Sequence, residues 1–211
     1  MSDLLQKYKF PIIETQVFPN IQYFTLILKH KGLTLEANEN YQKRSFRNRY
    51  HIGSQKGILN LSIPLSKGKN EQQSIREVII SFDHNWQSQH WNSICSSYGK
   101  SPYFIYYKDE IKELLFSTER SLFQYNQNII LEICKLLKIP IAMEHTTDFE
   151  KNIQASHYNK LNLNSLVQTI PYYQVYAKEN QFLNNLSILD LLFHMGPESI
   201  LYLRKMLEQT G

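Results

Sequence analysis

The sequence predicts an α/β fold in which an N-terminal βαβ unit and a mixed sheet with flanking helices precede a helix-rich C-terminal half. The βαβ unit is predicted by an apolar run with a proline near its start, Phe10–Glu14, and by helical apolar spacing over Ile21–His30. A second apolar run, Leu33–Ala37, begins after Gly32, which suits the position following a helix. Strand, helix and strand in this order predict parallel pairing with a right-handed crossover.

The composition is that of a soluble globular protein. The 211 residues are 42% hydrophobic and 20% charged, which fits a single domain over residues 1–211. A net charge of +4 is too small to predict nucleic-acid binding. Cys95 and Cys134 lack a metal-ligand spacing, and no stretch approaches the roughly 20 apolar residues of a membrane span. Because no signal peptide is recognisable, we expect a cytoplasmic protein with free thiols.

The middle of the chain is predicted to contain a hairpin and a further strand. Phe46–Ile52 and Ile58–Leu65 are joined by a segment with glycine at both ends, which favours a tight connection. The polar segment 66–74 is expected to be an exposed loop, and Ile75–Phe82 to be a strand.

Helices are predicted to dominate from residue 86 onward. Apolar spacing predicts helices over Trp86–Tyr98, Asp109–Phe116 and Glu119–Leu137, with Ile139–Met143 as a late strand. Residues 144–168 are rich in Asn, Thr and Ser, so they are predicted to form a linker or flap.

Two short helices are predicted at the C-terminus. Ser187 and Asp190 have the spacing of a capping box at the start of a helix over Leu186–Met195. Pro197 suits the first turn of a final helix over Glu198–Leu207.

A dense group of cations between the second strand and the hairpin is the strongest functional signal. Lys43, Arg44, Arg47 and Arg49 lie within seven residues, and we call them the basic cluster. They follow a parallel strand, whose carboxyl end should lie at the ligand-binding edge of the sheet. The functional interpretation is a clamp for phosphate or carboxylate. The alternative is a solvated hairpin whose charges pair with nearby glutamates.

Acidic and amide side chains are predicted at the same edge. Glu36 and Glu39 precede the basic cluster, and Gln16 follows the first strand. The glutamates could orient the guanidiniums or accept a proton from a substrate amine. Gln16 could recognise a substrate by hydrogen bonds from its side-chain amide. A structural ion pair and an ordinary loop hydrogen bond are the alternatives.

Two histidines flank a tryptophan at the start of a predicted helix. In a helix that begins at Trp86, His90 lies one turn later on the same face. His90 could act as a general base, with His84 as its partner or as a substrate contact. The alternative is a core Trp86 with structural histidines. The spacings of common metal sites, nucleotide-binding loops and serine nucleophiles are missing from the sequence, so neither a metal nor a cofactor is predicted.

Several short motifs occur in the order of a known family. They cover most of residues 12–200 and are Gln16-Val-Phe-Pro19, Glu39-x-Tyr41-x-Lys43-Arg44-Ser-Phe-Arg47-Asn48-Arg49, Leu61-Ser-Ile-Pro64, Trp86-x-x-x-His90 and Tyr98-Gly-Lys-Ser-Pro-Tyr-Phe104. Together they resemble the WbqC-like family, which is encoded in bacterial surface-polysaccharide gene clusters. The closing pieces, Asn185–Asp190 and Gly196-Pro197, resemble the version found in Bacteroidetes-type bacteria. Where many members have a His-Gln-Pro triplet, this chain has Thr15-Gln16-Val17, so only Gln16 carries over.

The resemblance implies a role in decorating cell-surface sugars. The implied activity is that of a transferase-type enzyme acting on a phosphorylated or nucleotide-linked amino sugar. Acyl or aminoacyl transfer is the candidate reaction, and an acyl carrier is a candidate partner. The catalytic candidates are His90, His84 and Glu39. The substrate-binding candidates are Gln16, Glu36, Tyr41, Lys43, Arg44, Arg47, Asn48, Arg49 and Trp86. The competing hypothesis is a non-catalytic module that binds an anion or an acidic partner through the basic cluster.

Overall fold

The strands of the protein form two sheets in a computed structural model that describes residues 7–66, 73–149, 170–177 and 182–208. A three-stranded parallel sheet has the order β1 (Ile12–Ile13), β2 (Gly32–Leu35) and β5 (Ala142–His145). An antiparallel hairpin is formed by β3 (Arg49–Ser54) and β4 (Gly57–Ser62). The α/β fold class is confirmed, although the strands form two sheets where one mixed sheet was predicted.

Helices account for most of the described chain after residue 86, which confirms the helix-rich C-terminal half. In the part of the chain that the structure describes, no helix is both long and apolar enough to cross a bilayer. The helices are α1 (Ile21–His30), α2 (Trp86–Tyr98), α3 (Phe104–Leu115), α4 (Leu122–Leu136), α5 (Ile188–Met195) and α6 (Ser199–Glu208), with 3₁₀ helices over Ile75–Glu77 and Gly196–Glu198.

The predicted βαβ unit is confirmed, since β1 and β2 pair in parallel and α1 spans the predicted residues. Asn20 caps α1, because its Oδ1 accepts a hydrogen bond from the Tyr23 N–H at 3.0 Å. The helix ends at Lys31, which adopts a left-handed conformation with a φ of 57°. Gly32 therefore begins β2 and does not itself cap the helix.

Apolar side chains from the sheet and the helices form one core. Phe24 and Ile27 of α1, Leu35 of β2, and Ile130 and Ile133 of α4 belong to a single cluster of buried residues. Burying a side chain of this size contributes roughly 1.5–3 kcal/mol. The core thus fixes the parallel sheet, and with it the side chains that follow each strand.

Two segments in the middle of the chain differ from the prediction. Residues 43–48 form turns, with a φ of 58° at Arg44, where a strand or a helix was considered. The strand predicted over Ile75–Phe82 is wrong, because the chain forms a 3₁₀ helix and then isolated bridges at Ile79 and Ile80. A run of β-branched residues indicates buried positions as well as strand structure. Here the backbone forms isolated bridges instead of a continuous ladder.

The late strand and α3 are shifted from their predicted positions. β5 begins at Ala142, where Ile139–Met143 was predicted, and His145 lies opposite Leu35 of β2. The predicted linker over 144–168 therefore begins in a strand, and its residues from 150 onward lie outside the described ranges. Helix α3 begins at Phe104, five residues earlier than predicted.

The capping box at the start of α5 is only half confirmed. Ser187 caps the helix by accepting a backbone hydrogen bond at 3.3 Å. The carboxylate of Asp190 instead accepts hydrogen bonds from Tyr172, Gln174 and Tyr176. The prediction for Asp190 is wrong because these donors, brought in by a preceding segment, hold its carboxylate.

Candidate functional site

The carboxyl ends of the three parallel strands meet at one edge of the sheet. Glu14 follows β1, Glu36 follows β2 and Thr146 follows β5. Ligand sites in α/β sheets form at this edge. Side chains from the strand ends and the following loops form what we call the edge cluster: Glu14, Gln16, Glu36, Glu39, Arg47 and Thr146.

Arg47 is central to the edge cluster and only 2% exposed. Its Nε donates to Glu39 Oε1 at 2.7 Å, and its Nη2 donates to Glu39 Oε2 at 2.5 Å. Nη2 also lies 2.8 Å from Glu14 Oε2. Burial disfavours the charged guanidinium, but the hydrogen bonds and charges of Glu39 and Glu14 raise the pKa of Arg47 overall. The protein's own carboxylates therefore bind this member of the basic cluster.

Glu36 is held by one oxygen of its carboxylate. Oε1 accepts hydrogen bonds from the Thr146 hydroxyl at 2.6 Å and from the Asn38 N–H at 2.9 Å. Oε2 is buried and has no hydrogen-bond partner within the described ranges. A buried carboxylate oxygen in this state lowers stability unless a bound group supplies the missing donor.

Two more acceptors without partners lie on the loop after β1. Gln16 is 1% exposed, and its Nε2 donates to Glu14 Oε1 at 3.1 Å. The Oε1 of Gln16 and the hydroxyl of Thr15 are buried and have no hydrogen-bond partner among the residues described. The end of β1 thus presents further unsatisfied acceptors next to Glu14.

The members of the basic cluster occupy different environments. Arg47 is buried, whereas Lys43 and Arg44 are exposed on the turn. Arg49 is half-buried, and its Nε is buried without a hydrogen-bond partner in the described chain. Burial raises the pKa of Tyr41, and the charges of Arg49 and Arg47 oppose this shift.

A cavity of about 590 Å³ opens beside the edge cluster. Glu39 and Asn38 line it and connect it to the cluster, since Glu39 binds Arg47 and the Asn38 N–H binds Glu36. Its volume falls in the range of small-molecule sites. The lining residues are Asn38, Glu39, Asn40, Tyr41, Gln42, Lys43 and Phe149.

Hydrogen bonds fix the cavity wall to the hairpin and to α4. The Tyr41 hydroxyl donates to Asn48 Oδ1 at 2.8 Å, and Asn48 Nδ2 donates to the Ile63 carbonyl at 2.9 Å. Asn126 of α4 donates its Nδ2 to the Arg47 carbonyl at 2.7 Å. Tyr41 and Asn48, both candidates from the sequence, thus hold the loop that carries Arg47.

Three residues of this site were not singled out from the sequence. Glu14 was treated as the end of the first strand, although the strand-end argument used for Glu36 applies to it equally. Asn38 and Thr146 had no motif. Thr146 is separated from Glu36 by 110 positions, and only the pairing of β5 with β2 brings it to the edge.

The histidine candidates make their contacts elsewhere. His84 is exposed before α2, and the buried His90 has its Nδ1 3.0 Å from the Tyr50 hydroxyl. Its ring centroid lies 5.2 Å from that of the core residue Trp86. Burial lowers the pKa of His90 to about 4, against a hydrogen bond with the Ser62 backbone. Within the described chain, no hydrogen bond or ring contact joins either histidine to the edge cluster.

Comparisons with known proteins identify the family. The model of the WbqC-like protein family matches residues 15–169, a range that holds the whole edge cluster except Glu14. The chain is 24% identical over 143 residues to the uncharacterized protein Rv1507c of Mycobacterium tuberculosis (strain ATCC 25618 / H37Rv), an alignment that covers 67% of this chain and 62% of that relative. No solved structure matches significantly. Because the family model matches more than half of its length, the chain belongs to the WbqC-like protein family.

Proposed function

We propose that the chain is a transferase-type enzyme of cell-surface polysaccharide biosynthesis. Its proposed substrate is a phosphorylated or nucleotide-linked amino sugar, and its proposed reaction is acyl or aminoacyl transfer. The active site is assigned to the edge cluster and the adjoining cavity. Family membership and the surface-polysaccharide role that the family resemblance implies support the reaction class.

The observation that carries this proposal is a set of buried polar atoms that have no hydrogen-bond partner in the described ranges and belong to the edge cluster or to the neighbouring basic cluster. The Nε of Arg49 is a donor of this kind, while Glu36 Oε2 and Gln16 Oε1 are acceptors. Leaving such an atom unpaired costs about 1–3 kcal/mol, so each one calls for an explanation. Their placement after parallel strands favours a bound ligand as the explanation.

The donor side of the site suits a phosphate. A guanidinium binds phosphate oxygens through charge-assisted hydrogen bonds. The Nε–H of Arg49 has no hydrogen-bond partner in the described chain, and the charge of Arg49 acts on Tyr41, which lines the cavity together with Lys43. Arg47 is assigned a different role, because Glu39 and Glu14 already bind it.

Of the three catalytic candidates, only Glu39 lines the cavity. His90 donates to or accepts from Tyr50 and is packed against Trp86, so we assign it a structural role. His84, exposed before α2, is assigned none. The proposed chemistry therefore belongs to the carboxylates of the edge cluster.

The proposal is tested by ligand binding to the full chain. We expect uridine diphosphate glucosamine or glucosamine 1-phosphate to raise the melting temperature, since a ligand of the native state stabilises it in proportion to affinity. Arg49→Ala should weaken binding by about tenfold or more, the effect of losing a charge-assisted hydrogen bond. Lys100→Ala, which removes an exposed cation outside this cavity, is the control. If Arg49→Ala binds these ligands with unchanged affinity, the assignment of the phosphate site to Arg49 beside the edge cluster is wrong.

The non-catalytic module is the second candidate, and the exposure of Lys43 and Arg44 on a turn favours it. A module that binds an acidic partner with these residues would lose binding in the Lys43→Ala and Arg44→Ala variants. It would be insensitive to Arg49→Ala, because the Nε of Arg49 is buried. Because Lys43 also lines the cavity, Arg44→Ala and Arg49→Ala are the variants that separate the two functions in one binding assay.

A further inference from the structure

The carboxylate of Glu36 is fixed in rotation while one oxygen remains open. The Thr146 hydroxyl accepts hydrogen bonds from the Ala37 N–H at 3.0 Å and from Asn38 Nδ2 at 3.1 Å. Its own hydrogen is thereby directed to Glu36 Oε1 at 2.6 Å. Glu36 is 1% exposed, and its Oε2 has no partner in the described ranges. Neighbouring groups thus orient this carboxylate for an additional donor.

Gln16 provides a second open acceptor at the adjacent strand end. Its Nε2 is committed to Glu14, which leaves Oε1 buried without a partner within the described residues. Glu14 and Glu36 follow strands that pair directly, and the charges of both act on Glu39. The two open acceptors therefore belong to one edge.

The charge of the edge cluster selects the kind of donor. It contains the carboxylates of Glu14, Glu36 and Glu39 and the single guanidinium of Arg47, which leaves an excess of negative charge. A primary ammonium brings a positive charge and three donors, whereas a hydroxyl brings one donor and no charge. An N-acetyl group also brings a single donor, together with extra bulk.

We infer that Glu36 and Gln16 determine specificity for a primary amine on the substrate, with Thr146 as the positioning residue. Glu36 Oε2 and Gln16 Oε1 accept hydrogen bonds from the amine, and Thr146 holds the Glu36 carboxylate in the required rotation. The inference rests on the proposed function, because it assigns the amine of the proposed substrate to the edge cluster. Arg49 binds the phosphate of the same substrate.

The test compares ligands that differ only at the amine, using calorimetry on the full chain. Glucosamine 1-phosphate should bind about tenfold or more tightly than glucose 1-phosphate or N-acetylglucosamine 1-phosphate. Glu36→Gln should abolish this preference, because a neutral amide no longer favours an ammonium over a hydroxyl. Thr146→Val should reduce the preference, and Thr146→Ser should retain it. Glu198→Gln, an exposed carboxylate on a 3₁₀ helix, is the matched control.

The outcomes separate this inference from the proposed function. Equal affinity for the three sugar phosphates, still weakened by Arg49→Ala, would overturn amine recognition and leave the phosphate site standing. If no sugar phosphate binds, glucosamine and glucose test the amine alone. A preference for glucosamine that Glu36→Gln removes would then support the inference while the proposed phosphate site fails, and no preference would overturn both. If Glu36→Gln does not fold, an unchanged preference in Thr146→Val decides against the inference.

Discussion

At the scale of single residues, Arg47 determines how the acidic side chains of the edge are arranged. It is among the largest buried side chains of the described residues, and its guanidinium binds Glu39 and Glu14. Desolvating such a pair is costly, and mutual attraction recovers that cost only with good geometry. The two parallel hydrogen bonds to Glu39 supply this geometry.

Removing Arg47 should therefore be strongly destabilising. Arg47→Met leaves the buried Glu39 and the partly buried Glu14 without their cation, so we expect a loss of about 3–5 kcal/mol in the free energy of unfolding. Equilibrium unfolding in urea measures this loss. Lys100→Ala, which removes an exposed cation, should change stability by less than about 0.5 kcal/mol. A loss in Arg47→Met no larger than in this control would show that the ion pair contributes little.

His90 should make stability depend on pH below neutrality. Burial lowers its pKa from 6.5 to about 4, so between these values the unfolded chain binds a proton that the folded chain does not. Stability therefore falls as pH decreases through this window, and the contribution of His90 between about pH 7.5 and pH 5 is about 2 kcal/mol. Urea unfolding at the two pH values measures the dependence.

The variants at the two histidines isolate this effect. His90→Gln should weaken the pH dependence by that amount, because glutamine does not titrate. His84→Gln, at an exposed position, should keep the wild-type dependence. A slope in His90→Gln equal to that of the wild type would contradict the assignment.

At the scale of elements, one buried carboxylate ties the segment 170–177 to α5. Asp190 is 0% exposed and accepts hydrogen bonds from Tyr172, Gln174 and Tyr176. The ring of Tyr176 also lies where a Cβ on Gly53 of β3 would be, at 1.9 Å, so only glycine permits this close approach. The segment is thus packed between the hairpin and α5.

Loss of the Asp190 carboxylate should release this segment. Asp190→Ala removes the acceptor of three hydrogen bonds, so a destabilisation of about 3 kcal/mol or more is expected. Hydrogen exchange should show the protection of the amides of residues 170–177 falling more than that of α4. Glu198→Ala, at an exposed position, should leave both measurements unchanged. Equal loss of protection everywhere would indicate global destabilisation without a local role for Asp190.

At the scale of the whole molecule, the two thiols report on folding. Cys134 is fully buried in the core, and burial raises its pKa to about 12. Cys95 is partly exposed, and burial raises its pKa while Lys112 and Lys108 oppose the shift. A thiol reagent should therefore distinguish local access from opening of the core.

The native protein should react with a thiol reagent at Cys95 first. Cys134 should react only as the core opens, so its slow phase measures unfolding of the whole molecule. Cys95→Ser should abolish the fast phase, and a bound sugar phosphate should slow the remaining one. Two fast thiols in the native protein would contradict the buried position of Cys134.

The sequence by itself determined the elements whose signals are local. Asn20 and the apolar spacing after it defined α1, and the glycines at Gly53 and Gly57 marked the hairpin that β3 and β4 form. These features depend on neighbours within a few positions, where capping and periodicity act. The polar edge after the parallel strands was also predictable in outline, because strand ends collect there in any βαβ unit.

Only the tertiary structure decided which polar groups meet at that edge. The four cations of the basic cluster lie close together in sequence, and their charge alone does not show which of them is buried. The fold buries Arg47 against two glutamates and leaves Lys43 and Arg44 exposed. Thr146 reached Glu36 only because β5 pairs with β2 across 110 positions. The physical reason is that buried polar groups must be satisfied by whatever partners the packed core brings near, and those partners come from distant parts of the chain.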